Sequence, residues 1–79
     1  MRSLPKNQKQ TLVALGKSIK DVRLSKGITR QKLAKLARID RSNVGRIERG
    51  EINVRLRTLV RLADALNVAV TKLLHKAGL

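Results

Sequence analysis

The stretch Arg41-Ser42-Asn43-Val44-Gly45-Arg46-Ile47-Glu48-Arg49-Gly50 gathers the side chains in this chain best suited to recognition chemistry. A guanidinium is a planar fork of donors that matches the paired acceptors of a guanine edge or a phosphate. The Ser42 hydroxyl and the Asn43 amide add donors and acceptors of the kind that base edges pair with. No comparable set exists for covalent or metal chemistry. The chain has no cysteine, and His75 is its only histidine. A metal site needs three or four converging ligands, so none is expected, and neither is a cofactor. His75 has no nucleophile pattern beside it, so the chain reads as a non-enzyme. Gly45 and Gly50 (GRIERG) stand at phosphate-loop spacing but lack the Lys-Ser/Thr that must follow.

Charge identifies the partner class. Nineteen Lys and Arg face five Asp and Glu, a net charge of +14 over 79 residues. So much unpaired positive charge repels itself unless a polyanion is present, which points to nucleic acid. There is no Phe, Tyr or Trp on which unstacked bases could lie, which disfavours single strands. Double-stranded DNA, read through phosphates and groove edges, requires no aromatic ring. The basic residues are spread along the chain and not set beside one apolar face, which argues against a membrane surface. With no apolar run of spanning or signal-peptide length, a cytoplasmic location is expected. No small-molecule ligand is suggested.

The elements that must position these side chains are all helical. Met1–Gln10 is polar, contains Pro5, Arg2, Lys6 and Lys9, and reads as a flexible basic arm. Residues 11–79 then form one domain. Leu12, Leu15, Ile19 and Val22 recur at helical spacing, ending at Gly27. Thr29 is placed to cap a short helix over Arg30–Ala37, with Leu33, Ala34 and Ala37 inward. Asp40 is placed to cap another over Arg41–Arg49, held by Val44 and Ile47 and ended by Gly50. A fourth helix is expected from about Leu56 to Leu66, with Leu56, Leu59, Leu62, Ala63 and Leu66 inward and Asn67 as a left-handed stop. A fifth, near Val70–Lys76, offers Val70, Leu73 and Leu74.

Only Arg38, Ile39 and Asp40 join the second helix to the third. A connection that short makes the two cross steeply, with Ala34 allowing close approach and Ile39 plugging the turn. Arg41, Ser42, Asn43, Gly45, Arg46 and Arg49 then face outward, as a helix destined for a major groove requires.

With these residues in view, Leu15–Leu74 resembles the lambda-repressor, Cro and XRE family of helix-turn-helix regulators. The resemblance rests on Ile28–Ala34 (ITRQKLA), on Arg41–Gly50 (RSNVGRIERG) and on Leu62–Val68 (LADALNV). It implies an all-α, five-helix, lambda-repressor-like domain that reads a specific duplex site, usually as a homodimer on a two-fold operator. Carried over by position, it implies base contact for Arg41, Ser42 and Arg46, with Asn43 beside them. It implies phosphate contact for Arg30 and Asn53, with Arg49, Arg55 and Arg57 near adjacent phosphates. It also implies a partly buried ion pair between Arg23 and Glu48. Three places depart from the family: Arg38 stands where glycine is common in the turn, Val54-Arg55 replaces the usual Pro-Ser before the fourth helix, and Ala69 replaces a capping Ser before the last.

Val70, Leu73, Leu74 and Leu79 form an apolar set near the C-terminus and are the candidates for the dimer interface, with the alternative that half of the set closes the core of one subunit. The expected function is a sequence-specific transcriptional regulator of the phage-repressor or restriction-modification controller type, and the loop Gly50-Glu51-Ile52-Asn53-Val54 is similar to that of the controller group. The alternatives are an antitoxin-type regulator whose main partner is a protein toxin, and a nonspecific nucleic-acid binder driven by charge.

Overall fold

A computed structural model describes residues 7–79, which form five helices and, among the described residues, no strand. These are α1 (Gln8–Ser25), α2 (Arg30–Ala37), α3 (Arg41–Glu48), α4 (Leu56–Leu66) and α5 (Val70–Lys76). The expected all-α five-helix fold is what the chain adopts. α2 packs on α3 and α4, while α1 lies along α3 and α5. At the centre Ile19, Leu33, Leu62, Leu66 and Leu73 have no accessible surface. With no aromatic ring to fill space, the core is a mesh of aliphatic side chains from all five helices.

The helix ends share one device. Gly27, Arg38, Gly50, Asn67 and Gly78 all adopt positive φ. After each, the next N–H returns to a carbonyl five residues earlier: Ile28 to Arg23, Ile39 to Ala34, Glu51 to Arg46, Val68 to Ala63 and Leu79 to Leu74. This closure satisfies carbonyls left over at a helix end and commonly pins an apolar residue against the last turn. Ile28, Ile39 and Val68 accordingly pack on the core. Glu51 is the one charged residue in the series.

Arg38, between α2 and α3, carries φ 60 and ψ 46. The left-handed region costs a residue with a Cβ about 1–2 kcal/mol, a cost that glycine escapes. Part of the gain returns as the greater entropy of an unfolded glycine. Arg38→Gly is therefore expected to stabilise the domain by about 1 kcal/mol, raising the melting midpoint by roughly 4–8 °C. A thermal melt unchanged or lowered would contradict this account of the turn.

Gly16 decides how α1 meets α3. A Cβ built there would collide with the backbone carbonyl of Ile47 and would lie 2.7 Å from that of Glu48. The helices therefore touch backbone to backbone where α3 ends. Nearby, the buried Ser18 hydroxyl donates to the Leu73 carbonyl at 2.7 Å, tying α1 to α5.

Several boundaries and faces differ from the sequence reading. α1 begins at Gln8, so residues 8–10 belong to the helix and not to an arm. The Asn7 side chain accepts from the Gln10 N–H at 2.8 Å and so caps it. These residues showed no apolar period because this first turn is exposed. Residues 1–6 of the expected arm lie outside the described residues.

Asp40 stands at the N-cap of α3 but makes no side-chain cap bond, whereas Thr29 does cap α2. α3 itself closes at Glu48, with Arg49 as its cap. Leu56 was expected inward and is 72% exposed. Side chains on a helix tilt toward its N-terminus, so the first residue points past the end of the core that Leu59 enters. Leu73 was assigned to a dimer interface and is fully buried within this chain. α5 is a single apolar ridge only seven residues long, and its central leucine goes to the core.

Candidate nucleic-acid interface

α3 is mounted by its apolar side. Val44 and Ile47, 1% and 4% exposed, lock into the core and leave the rest of the helix on the surface. Arg41, Ser42 and Arg46 are exposed, as the sequence predicts. Together with Arg30, Gly45 and Arg49 they line one open hollow on the outer face of the molecule. Four of those six residues are arginines, so the hollow is an anion-seeking surface of multiple parallel donors.

Asn43 does not join that group. It is half-buried and lines a second hollow, between α3 and the start of α4, with Ile39, Asn53, Arg55 and Thr58. Asn53 and Arg55 therefore sit with Asn43 and away from the arginine hollow. Arg57 is exposed on the first turn of α4. Thus the residues named from sequence fall into two neighbouring surfaces, one built on α3 and α2, the other on the α3–α4 connection.

Behind the arginine hollow stands a carboxylate. Glu48 has a side-chain exposure of 1% and accepts from Arg23 Nε at 2.6 Å and Nη2 at 3.1 Å. Arg23 also donates from Nη1 to the Ile28 carbonyl at 2.8 Å. The expected Arg23–Glu48 pair is thus a two-pronged bond joining α1 to α3. The sequence reading missed a third member: Arg30 Nε donates to Glu48 Oε1 at 3.0 Å. Arg30 is the residue expected on a phosphate, and its Nη groups make no hydrogen bond to a described residue. One buried acid therefore fixes both the pitch of α3 and the stance of a surface arginine on α2. No buried side-chain polar atom among the described residues lacks a partner.

Arg49 and Glu51 form a second arrangement that sequence reasoning did not anticipate. Arg49 donates to Glu51 from Nε at 2.7 Å and from Nη2 at 3.4 Å. That hydrogen bond holds the Glu51 carboxyl below the usual carboxylate range and raises the Arg49 guanidinium above its own. Gly45, expected to face outward, is buried, and what covers it is the Arg49 guanidinium. A glycine inside a helix costs about 1 kcal/mol against alanine. Its presence four residues before an arginine was the available clue.

Comparison with known proteins agrees with this geometry. The helix-turn-helix family model matches residues 19–73, from the middle of α1 into α5.

The chain belongs to the XRE-type helix-turn-helix family.

It is a DNA-binding transcription regulator of that family. Among its relatives is the control protein C.SmaI of Serratia marcescens, 38% identical over 82% of this chain and 77% of the relative. The crystal structure of the restriction-modification controller protein C.AhdI from Aeromonas hydrophila is 40% identical, with a TM-score of 0.78 over 78% of this chain and 94% of that one. The clp gene regulator ClgR from Corynebacterium glutamicum is 28% identical, with a TM-score of 0.82 over 95% of this chain and 92% of that one. In helix-turn-helix terms, α2 and α3 are the motif and α3 is its recognition helix. Among the described residues no helix is long and apolar enough to cross a membrane, and no group of side chains could hold a metal ion.

Proposed function

We propose that this chain is a controller-type regulator that binds a two-fold DNA operator as a homodimer. Each α3 enters a major groove, and the two grooves are about one helical turn apart. The observation that carries this reading is the outward face of α3, with Arg41, Ser42 and Arg46 exposed on a helix anchored by Val44 and Ile47. Arg30, Asn53, Arg55 and Arg57 flank that face and hold phosphates, which sets register without reading sequence. Asn43, which lines one hollow with Asn53, belongs with this flanking group more than with the base readers.

Similarity to C.SmaI and C.AhdI supports assignment to the control of a restriction-modification system. The protein acts in the cytoplasm, as a binding module and not as an enzyme. His75 is exposed on α5, a different element from the arginine face. For the homodimer, Leu79 is 50% exposed, and Val70 and Leu74 are only half-buried, which leaves apolar surface at the C-terminal end.

Selection of bound duplexes from a random library tests the whole reading. The expected product is a palindromic motif bound about a thousandfold or more tighter than random duplex at matched salt. Sedimentation at the same concentrations is expected to show two chains per duplex. A ratio near one would reduce the protein to a charge-driven binder. A single asymmetric half-site with one chain bound would remove the homodimer.

A further inference from the structure

Arg41, Gly45 and Arg49 form one ridge along α3, each four residues from the next, beside the ridge of Ser42 and Arg46. Side chains on a helix lean toward its N-terminus, so Arg49 is directed back along the ridge. At Gly45 nothing stands in its way. Arg49 Nη1 lies 3.0 Å from where a Cβ on Gly45 would be, and its Cζ and Nη2 lie 3.7 Å away. The guanidinium therefore rests on the helix surface, on the same hollow as Arg41 and Arg46.

Glu51 determines which edge of that guanidinium is used. It takes the Nε–Nη2 edge, at 2.7 and 3.4 Å. The remaining Nη1–Nη2 edge has two N–H groups facing away from the carboxylate. A two-donor edge of this kind matches the O6 and N7 acceptors of guanine in the major groove. Glu51 is held in place by its own backbone, since its N–H bonds to the Arg46 carbonyl at 2.9 Å. It is also the one helix-closing residue that is charged, where the other four helices have Ile28, Ile39, Val68 and Leu79. An exposed acid near a polyanion is repelled by it, so a carboxylate here weakens phosphate binding in general. Its compensating contribution is orientation.

The geometry points to Arg49 as a third base-reading arginine, specific for guanine, with Gly45 as the space it occupies and Glu51 as its positioning residue. This replaces the phosphate role expected for Arg49 and rests on the DNA-reading function proposed above. The site is the buttressed guanidinium over Gly45, and its ligand is the major-groove edge of a G·C pair.

The experiment compares duplex libraries selected by the wild-type chain, Arg49→Ala, Glu51→Gln, Gly45→Ala and Arg46→Ala. Arg49→Ala is expected to lose discrimination, roughly tenfold or more, at one guanine in each half-site. That guanine differs from the position relaxed by Arg46→Ala. Glu51→Gln is expected to blunt the same guanine while binding random duplex at least as tightly as the wild type, because a negative charge has gone. Gly45→Ala is expected to melt no lower than the wild type yet shift preference at that same position, which separates reading from folding.

If Arg49→Ala instead weakens selected and random duplexes equally, and lowers the salt slope by about one, Arg49 is a phosphate ligand and the inference fails. Glu51→Gln leaving every position unchanged overturns the positioning role. A wild-type chain that selects no motif at all would refute the DNA-reading function itself, an outcome distinct from both.

Discussion

Glu48→Ala is expected to remove about 3–5 kcal/mol of folding stability, the usual cost of deleting one partner of a buried ion pair. The carboxylate is 1% exposed and receives three N–H groups, two from Arg23 and one from Arg30. With it gone, Arg23, whose side chain is 7% exposed, keeps a positive charge inside the protein with only the Ile28 carbonyl to answer it. A domain of this length has a total stability of roughly 4–12 kcal/mol, so the loss consumes much of it. Urea unfolding followed by circular dichroism measures the difference directly. A loss below about 1 kcal/mol would mean that water reaches Arg23 readily and that the pair is not structurally important.

The same substitution clarifies what the ion pair is for. Replacing both members with well-packed apolar residues is often neutral, so attraction alone does not explain retaining it. What Glu48 supplies is geometry. It joins α1 to the last turn of α3 just where Gly16 lets the two backbones touch, and it draws Arg30 in from α2. Helices α1, α2 and α3 thus meet at one carboxylate behind the arginine hollow.

Arg46→Ala carries the second large effect, and it acts on binding and not on folding. Arg46 is exposed on α3, so its removal leaves the core intact. On the selected duplex the variant is expected to lose roughly 1–3 kcal/mol, with preference relaxed at one base pair and little change on random DNA. Arg30→Ala provides the contrast. In its proposed role as a phosphate ligand Arg30 would contribute equally on every sequence, so its loss is expected to weaken all duplexes alike and flatten the dependence on salt by about one unit. Equilibrium titrations at several salt concentrations distinguish the two behaviours. Equal losses on selected and random duplex for Arg46→Ala would move that residue from the base edges to the backbone.

Much of this was readable from residue order. Helical periods gave all five helices, and α4 ran from Leu56 to Leu66 as expected. The left-handed stop at Asn67 followed from residue type, whereas that at Arg38 came from resemblance to a family with glycine there. Ionic partners were the harder part. Arg23 and Glu48 came from resemblance, and nothing in the spacing of Arg30 and Glu48, eighteen residues apart, announced their contact. Arg49 and Glu51 are close in sequence, yet a separation of two places residues on different sides of a helix. They meet because α3 ends at Glu48 and the chain turns back through Gly50. Leu73 and Leu56 exchanged expected roles for a similar reason, since periodicity assigns a face but not where along the helix the core stops.

Local interactions were therefore settled by the amino-acid order itself: which segments coil, where they stop, that the core is aliphatic, and that a helix rich in arginine faces out. Those outcomes depend on residues within about a turn of one another and on net charge. Packing alone settled which arginines are held by acids, that Gly45 is covered, that Asn43 lines a separate hollow, and which leucines stay exposed. Such outcomes depend on the distances between helices, which no single segment encodes.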